Sequence, residues 1–303
     1  MCLQSFSRPR AKRYKPYAWF TNLKAKIGAC MMILVVASTK DVASMNIRQQ
    51  LISHYDFTES SEEFHKNKIY NKEVDGQELK LVTINEEAIF YQAITDHFHP
   101  KLIIYISRHS SRSGKPTLSV HTPGNLVQAE KGGLSGKVSV APANAMRKAL
   151  LEMARQKAEL GLGYQVSYEC THHGPSLDVA TMFVELGSSL TQWKDVTAAE
   201  AVAHAAMASI KKGSESSIVA IGIGGPHYGE KFTRMALEDS FAFGHIMPKY
   251  LVSQVNAEII RQCIDRTLEK VETIALDWKG IRGADKILLV GALKEIKVKI
   301  QKF

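Results

Sequence analysis

From Met32 onward, short apolar runs of strand length alternate with longer segments whose apolar residues recur at helical spacing. A run that is apolar throughout is typical of an interior strand buried on both faces. Strands are predicted at Met32–Ala37, Leu79–Ile84, Lys101–Ile106, Leu118–His121, Lys137–Ala141, Gln165–Cys170, Ala180–Leu186, Ile218–Ile223, Ala242–Met247 and Thr273–Asp277. Helices are predicted at residues 42–52, Ala88–Phe98, Asn144–Leu160, Ala198–Lys212, Tyr228–Ser240, Asn256–Lys270 and within the last twenty residues.

Alternating strands and helices predict an α/β protein. We expect one three-layer α/β/α domain over residues 32–303, with a largely central mixed sheet, because no repeat or linker divides this region. Residues 56–77 are polar and irregular and predict no regular element. The stretch Ser107–Lys137 is rich in Gly, Ser, Thr and Pro and predicts a long loop, which in a compact domain is usually functional.

Composition narrows the class of protein. The 303 residues are 45% hydrophobic and 23% charged, which excludes collagen, coiled coil and wholesale disorder. The longest uncharged apolar run, around Gly28–Ala37, is about half the length that crosses a bilayer. The four cysteines form no CxxC pair, which argues against a disulfide scaffold or a zinc ribbon and for a reducing compartment. Because no apolar run is long enough to cross a bilayer, we expect no association with a membrane.

Positive charge is concentrated at the N-terminus. Residues 1–31 hold seven of the 39 basic residues and none of the 30 acidic ones, so the rest of the chain has 32 basic against 30 acidic residues. This extension is interpreted as an organellar transit peptide, a basic arm for RNA or nuclear import, or a leader upstream of a second start at Met31 or Met32. We expect a cytoplasmic location, with nuclear import and organellar targeting left open by these residues.

A second basic stretch lies inside the domain. Residues 107–157 hold nine basic and two acidic residues. This pattern is typical of a protein that docks a polyanion on one face. Charge taken alone favours the simpler interpretation, that these residues lie on solvated helix and loop surfaces.

Four short polar motifs each follow a predicted strand directly. If those strands run parallel, the motifs meet in the crevice beyond the carboxyl ends, where open α/β sheets bind ligands. The candidate catalytic and metal-binding residues in these motifs are His109, His172, His173, Glu185 and His227. The candidate substrate-binding residues are Ser107, Arg108, Ser110, Gly174, Pro175, Gly224, Gly225 and Pro226.

These residue types suit hydrolytic chemistry. Imidazole and carboxylate are zinc ligands, and zinc with an open coordination position lowers the pKa of a bound water to about 7. The metal-free alternative is a histidine acting as general base and oriented by Glu185. Amides of Gly224-Gly225 would suit an oxyanion or a phosphate. Each residue also has a structural interpretation, such as a hydrogen-bonded loop histidine, but four coincidences at strand ends favour a site.

The motifs together resemble the archaeal- and plant-type D-aminoacyl-tRNA deacylase. The resemblance rests on Ile33–Ser38, Ser107–Ser111, Thr171–Pro175, Phe183–Ser188 and Gly224–Tyr228 and covers residues 32–303. It implies hydrolysis of the ester that joins a D-amino acid to the 3′-terminal ribose of tRNA, which recycles tRNA and prevents misincorporation. It also implies a fold similar to phosphorylases and peptidyl-tRNA hydrolases, and zinc bound by a subset of the five candidate residues.

The resemblance suggests roles for further residues. Gly174-Pro175 or Gly225-Pro226 would form a rigid wall that rejects L-amino acids. Arg147 and Lys148, in the basic stretch, would contact phosphates of the acceptor stem. D-aminoacyl-tRNA, through its acceptor stem and CCA end, is the expected partner, and no obligate protein partner is expected. Two other functions remain open: a nucleoside phosphorylase-like enzyme and a non-catalytic RNA-binding protein.

Overall fold

The computed structural model describes residues 32–213 and 216–303. The basic extension of residues 1–31, with its three interpretations, lies outside the described residues. The strands are β1 (Ile33–Ser38), β2 (Thr58–Phe64), β3 (Asn67–Val74), β4 (Gln77–Ile84), β5 (Leu102–Ser110), β6 (Thr117–His121), β7 (Gln165–Tyr168), β8 (Ala180–Ser188), β9 (Ile218–Ile223), β10 (Phe241–Met247), β11 (Thr273–Leu276) and β12 (Lys299–Lys302). The helices are α1 (Val42–His54), α2 (Ile94–His97), α3 (Ala143–Glu159), α4 (Leu190–Trp193), α5 (Val196–Ile210), α6 (Glu230–Glu238), α7 (Ala257–Asp265) and α8 (Gly283–Leu293).

The larger of two sheets has eight strands in the order β2-β3-β4-β1-β5-β8-β6-β7. Its centre, β4-β1-β5-β8, is parallel, and β1 is buried along its whole length, as its apolar run predicts. Strand β6 runs antiparallel to β8, and β7 runs parallel to β6. The predicted α/β architecture with a mixed central sheet is confirmed.

A second sheet contains four parallel strands in the order β10-β9-β11-β12. The sequence predicts these strands but not their membership of a second sheet, because an apolar run identifies a strand but not its partner. The second sheet has its own hydrophobic core, which includes Ile221, Ile274 and residues of α7 and α8. It matters for function because the loop after β9 reaches the candidate site.

Helices α1, α3 and α5 pack on one face of the large sheet. Asp195 is the N-cap residue of helix α5, and its carboxylate accepts a hydrogen bond from the amide of Ala198. Most alanines of α5 are buried, and the helix packs against α3 and α1, where small side chains allow the helices to approach closely. None of the helices in the described residues is long and apolar enough to cross a membrane.

Three predicted elements differ from the structure. Residues 56–77 contain the antiparallel strands β2 and β3, whose polar composition suits an exposed sheet edge. The helix predicted at Ala88–Phe98 is reduced to a 3-10 turn at Ala88–Phe90 and the short α2. The strand predicted at Lys137–Ala141 makes only isolated bridges.

Candidate active site

One face of the large sheet carries a row of polar side chains. On β5, Ser107 and His109 share this face because side chains two residues apart in a strand point the same way. In the parallel register with β8, Ser107 lies opposite Glu185 and His109 opposite Gly187. The Ser107 hydroxyl donates to Oε1 of Glu185 at 2.7 Å, and Oε2 lies 3.5 Å from Nδ1 of His109.

A carboxylate that the sequence analysis missed lies at the centre of this group. The side chain of Glu169, which follows β7, has no exposed surface. Its Oε1 lies 2.9 Å from Nδ1 of His109, and its Oε2 lies 2.9 Å from Nε2 of His227. Glu169 therefore joins a histidine of the large sheet to a histidine of the loop that follows β9.

Burial disfavours the charged forms of these side chains, but for His109, His227 and Glu169 the charged partners outweigh burial. The carboxylate of Glu169 raises the pKa of His109 to about 12, and Cys170 together with Glu169 raises the pKa of His227 to about 10. In return, despite its burial, the charged His109 holds the pKa of Glu169 well below its ordinary value. Burial, aided by the charge of Glu169, raises the pKa of Glu185 to about 7. The site thus combines two imidazolium ions with a carboxyl group that exchanges a proton near neutral pH.

Three further imidazoles cluster beside the ion pairs. Nδ1 of His172 lies 2.8 Å from the carbonyl oxygen of Cys170, and Nδ1 of His173 lies 2.7 Å from that of Gly174. Because carbonyl oxygens only accept, these Nδ1 atoms carry the protons and each Nε2 is left with a lone pair. Nε2 of His173 lies 3.2 Å from Nε2 of His121, at the end of β6. Donor atoms of the three histidines all lie within 4.8 Å of one another.

This cluster fits a metal ion. Nε2 of His172 lies 3.6 Å from the Glu169 carboxylate, so two acceptors face each other without a proton between them. Nδ1 of His121 is buried and has no hydrogen-bond partner among the described residues. Carbonyls that fix the Nδ1 proton and leave Nε2 free are the usual support of metal-binding histidines. A second group of possible ligands, Cys170 and His227, shares His172 with this cluster.

The five predicted metal candidates are therefore divided between two neighbouring groups. His172 and His173 join His121 in the imidazole cluster, whereas His109 and Glu185 belong with Glu169 to the ion-pair cluster. His227 touches both, since it is bonded to Glu169 and its ring lies 4.6 Å from that of His172. The structure brings all five candidates together.

A cleft of about 450 Å³ opens above both clusters. Its lining consists of Asp41, Glu87, Ala88, Ile89, Phe90, Ser107, Arg108, His109, Ser110, Lys131, His172, His173, Glu185 and His227. The predicted substrate-binding residues Ser107, Arg108 and Ser110 thus do line a cleft. The Arg108 guanidinium is held by the carboxylate of Glu87 at 2.8 and 2.9 Å.

The predicted glycine and proline residues lie elsewhere. Gly174 and Pro175 are buried, and Gly174 packs against the backbone of Ile89 and residues 132–133. The amide of Gly224 donates to the carbonyl of Met247 at 2.8 Å, so it is not free to bind an oxyanion. The described residues that line the cleft do not include any of the glycines and prolines predicted to bind substrate, which are Gly174, Pro175, Gly224, Gly225 and Pro226.

The expected phosphate contacts of Arg147 and Lys148 are not supported. Arg147 is buried, and its Nε donates to the carbonyl of Ala236 at 3.1 Å. Nζ of Lys148 donates to the carbonyls of Lys211 and Gly213 at 2.7 and 2.6 Å. Both side chains secure helix α3 to its neighbours and lie outside the cleft lining.

The strand arrangement that brings the site residues together differs from the one predicted. Because β7 runs opposite to β5 and β8, the carboxyl ends of these strands do not share an edge of the sheet. The site instead lies across the sheet face, with Ser107 and Glu185 within their strands. Two local signals mark the missed residues: Glu169 is an acid inside the predicted strand Gln165–Cys170, and His121 ends a predicted strand.

An α/β fold with a cleft over paired carboxylates, imidazolium ions and a metal-competent histidine cluster defines a hydrolase-type active site. Comparison with known proteins names the family. Residues 96–301 match the family model described as D-aminoacyl-tRNA deacylase. The curated D-aminoacyl-tRNA deacylase of Pyrococcus furiosus is 42% identical over 84% of this chain and 94% of its own length. The curated D-aminoacyl-tRNA deacylase of Methanocaldococcus jannaschii is 34% identical over 84% of this chain and 93% of its own length.

A solved structure shares the fold. It is described as a conserved protein of unknown function, is 30% identical with a TM-score of 0.79, and covers 89% of this chain and 95% of its own. The chain belongs to the D-aminoacyl-tRNA deacylase family.

Proposed function

We propose that this protein hydrolyses the ester between a D-amino acid and the 3′-terminal ribose of tRNA. Such an activity recycles the tRNA and keeps D-amino acids out of protein synthesis. Family membership supports the substrate class. The observation that carries the chemistry is the cleft in which Glu185, His109 and His227 face one space above the bridging carboxylate of Glu169.

In this proposal, Glu185 accepts the proton of the attacking water. An aminoacyl ester is already activated, so the main requirements are a positioned water, a base and stabilisation of the oxyanion. Glu185 lines the cleft, and its pKa of about 7 is close to the value that suits a general base at neutral pH. The hydroxyl of Ser107 orients its carboxyl group.

The imidazolium groups of His109 and His227 supply fixed positive charge. Both line the cleft, and each forms an ion pair with Glu169 at 2.9 Å. Negative charge that develops on the ester oxygen is stabilised by such pre-oriented charge in a site shielded from water.

Zinc is the cofactor we propose. His172 and His173 would hold it through their Nε2 atoms, and His121 would supply a third ring nitrogen. A bound zinc ion supplies Lewis acidity and lowers the pKa of a coordinated water. Under this proposal the ligand set includes His121, which was not a candidate from the sequence, and leaves out the candidates His109, Glu185 and His227.

The decisive experiment incubates the purified protein with D-tyrosyl-tRNA and L-tyrosyl-tRNA and measures release of the amino acid. We expect cleavage of the D ester alone, loss of activity with a chelator and recovery with zinc. His172→Ala should lower both zinc content and turnover, whereas His204→Ala, a change on helix α5 outside the cleft lining, should preserve both.

Other outcomes would replace the proposal. Equal cleavage of both esters would contradict chiral selection. Cleavage of free nucleosides would indicate a nucleoside phosphorylase-like enzyme, and tRNA binding without turnover would indicate an RNA-binding protein. D-ester cleavage that resists complete removal of metal would contradict the zinc requirement alone.

A further inference from the structure

The rim of the cleft carries an unusually exposed aromatic ring. Phe90 ends the 3-10 turn Ala88–Phe90, lines the cleft and is 58% exposed. Its side chain is the most exposed phenyl, phenol or indole group in the described part of the chain. It is also the only such group among the described residues that line the cleft. The remaining lining is mostly charged or polar.

The turn that carries Phe90 is held firmly in place. The carbonyl of Ile89 packs so closely on Gly132 and Gly174 that neither position has room for a side chain. The side chain of Gln92 bonds both the amide and the carbonyl of Ser176, at 2.9 and 2.6 Å. The amide of Gly174 in turn donates to the carbonyl of Lys131 at 2.9 Å. Three backbone segments therefore form one connected rim.

This connection relates the ring to the chemistry. Gly174 directly follows His173 of the imidazole cluster, and Lys131 lines the same cleft as Phe90. Because the backbone that carries the ring is already held in place, a ligand that covers the ring has no turn to order. An apolar ring kept in water at the mouth of a polar cleft suits a flat apolar partner, and every nucleobase presents such a face.

We propose that Phe90 is the stacking surface for the terminal adenine of the substrate, and that Lys131 faces a neighbouring phosphate of the CCA end. The inference rests on the proposed function, because it assumes that an aminoacylated tRNA end enters this cleft. The adenine is attached to the ribose that carries the ester, so it must lie close to the reacting bond. Stacking on the adenine does not involve the amino acid, so its contribution should be the same for different D-aminoacyl-tRNAs.

The test measures KM and kcat for D-tyrosyl-tRNA and D-alanyl-tRNA. Because the ring would no longer stack on the base, Phe90→Ala should raise KM about tenfold for both substrates while kcat changes little. Phe90→Tyr and Phe90→Trp should restore KM. The matched control is Phe303→Ala, which removes an exposed phenylalanine outside the cleft lining and should leave KM unchanged.

The outcomes separate this inference from the proposed function. If wild-type protein cleaves D-tyrosyl-tRNA but Phe90→Ala keeps its KM, the stacking role is wrong and the proposed function stands. A rise in KM for D-tyrosyl-tRNA alone would place Phe90 against the amino acid side chain and also overturn stacking. Absence of wild-type turnover would instead contradict the proposed function.

A binding measurement gives a readout that does not depend on turnover. Indole fluorescence of Phe90→Trp, compared with that of wild type, should be quenched by an oligonucleotide that ends in CCA. Quenching should be weaker with the same oligonucleotide ending in CC. Equal quenching by the two oligonucleotides would contradict stacking on the terminal adenine.

Discussion

A carboxylate without any exposed surface needs charged or hydrogen-bonding partners, and Glu169 has two imidazolium groups. The negative charge of Glu169 raises the pKa of His109 to about 12 and contributes to raising that of His227 to about 10. It also adds to the burial that raises the pKa of Glu185. One buried residue therefore contributes to the protonation of all three groups to which the proposed chemistry is assigned.

Replacing this residue should disable the site without unfolding the protein. Glu169→Gln keeps the size of the side chain but removes its charge, so His109 and His227 both lose one of the partners that raise their pKa. We expect kcat for D-tyrosyl-tRNA to fall on the order of 100-fold or more, measured by release of the amino acid.

The control is Glu200→Gln on α5, where the carboxylate lies 3.6 Å from Nε2 of His204 outside the cleft lining. This variant should keep wild-type kcat. Circular dichroism should show both variants folded. Wild-type turnover by Glu169→Gln would refute the organising role of this carboxylate.

At the scale of elements, the pairing of β5 with β8 decides where His109 lies. Gly187 is opposite His109 in the register, and a Cβ atom added to Gly187 would lie 2.7 Å from Cβ of His109 and 3.0 Å from its carbonyl oxygen. The indole of Trp193 on α4 fixes the same strand end by donating to that carbonyl at 2.9 Å. The absence of a side chain at residue 187 is thus a requirement of the site.

Gly187→Ala should therefore displace His109 from Glu169. We expect a fall in kcat/KM of about tenfold or more, because small misplacements of catalytic groups are costly. Zinc content should stay unchanged, since the three proposed ligands lie on other elements. Gly283→Ala at the start of α8, where an added Cβ atom meets nothing within 4 Å, serves as the control. Full activity of Gly187→Ala would show that β5 can shift without consequence.

At the scale of the whole molecule, His245 links pH to stability. This residue of β10 is completely buried, its Nε2 donates to the carbonyl of Arg266 at 3.2 Å, and its Nδ1 lies 3.1 Å from the Thr171 hydroxyl. Burial, together with the positive charge of Arg266, lowers the pKa of His245 to about 3 from an ordinary value of 6.5. Between these values the unfolded chain binds a proton that the folded chain excludes.

The free energy of unfolding should therefore decrease as the pH falls below about 6.5. It should return to its full value when the pH is raised above about 6.5. The contribution of His245 amounts to about 1.4 kcal/mol per pH unit in the free energy of unfolding. Urea unfolding between pH 4 and pH 7 should show a smaller pH slope for His245→Gln than for wild type. Identical slopes for the two proteins would exclude His245 as a source of acid sensitivity.

The sequence by itself determined the class of fold and most of the site. Apolar runs such as Ile33–Ser38 are local patterns, so they identify strands without knowledge of their neighbours. Polar motifs at strand ends identified His109, His172, His173, Glu185 and His227, all of which line one cleft. Family resemblance added the substrate class, which no residue spacing could supply.

Only the tertiary structure decided which of these groups act together. Because β6 and β7 run opposite to β5 and β8, His121 and Glu169 lie beside the other site residues. His227 comes from the loop after β9 of the second sheet. The tertiary structure also shows that Arg147 is buried and has a structural role, although in the sequence it looks like the other basic residues. The physical reason is that partner, register and solvent access are properties of contacts between distant segments, whereas hydrophobic periodicity reports only on neighbours along the chain.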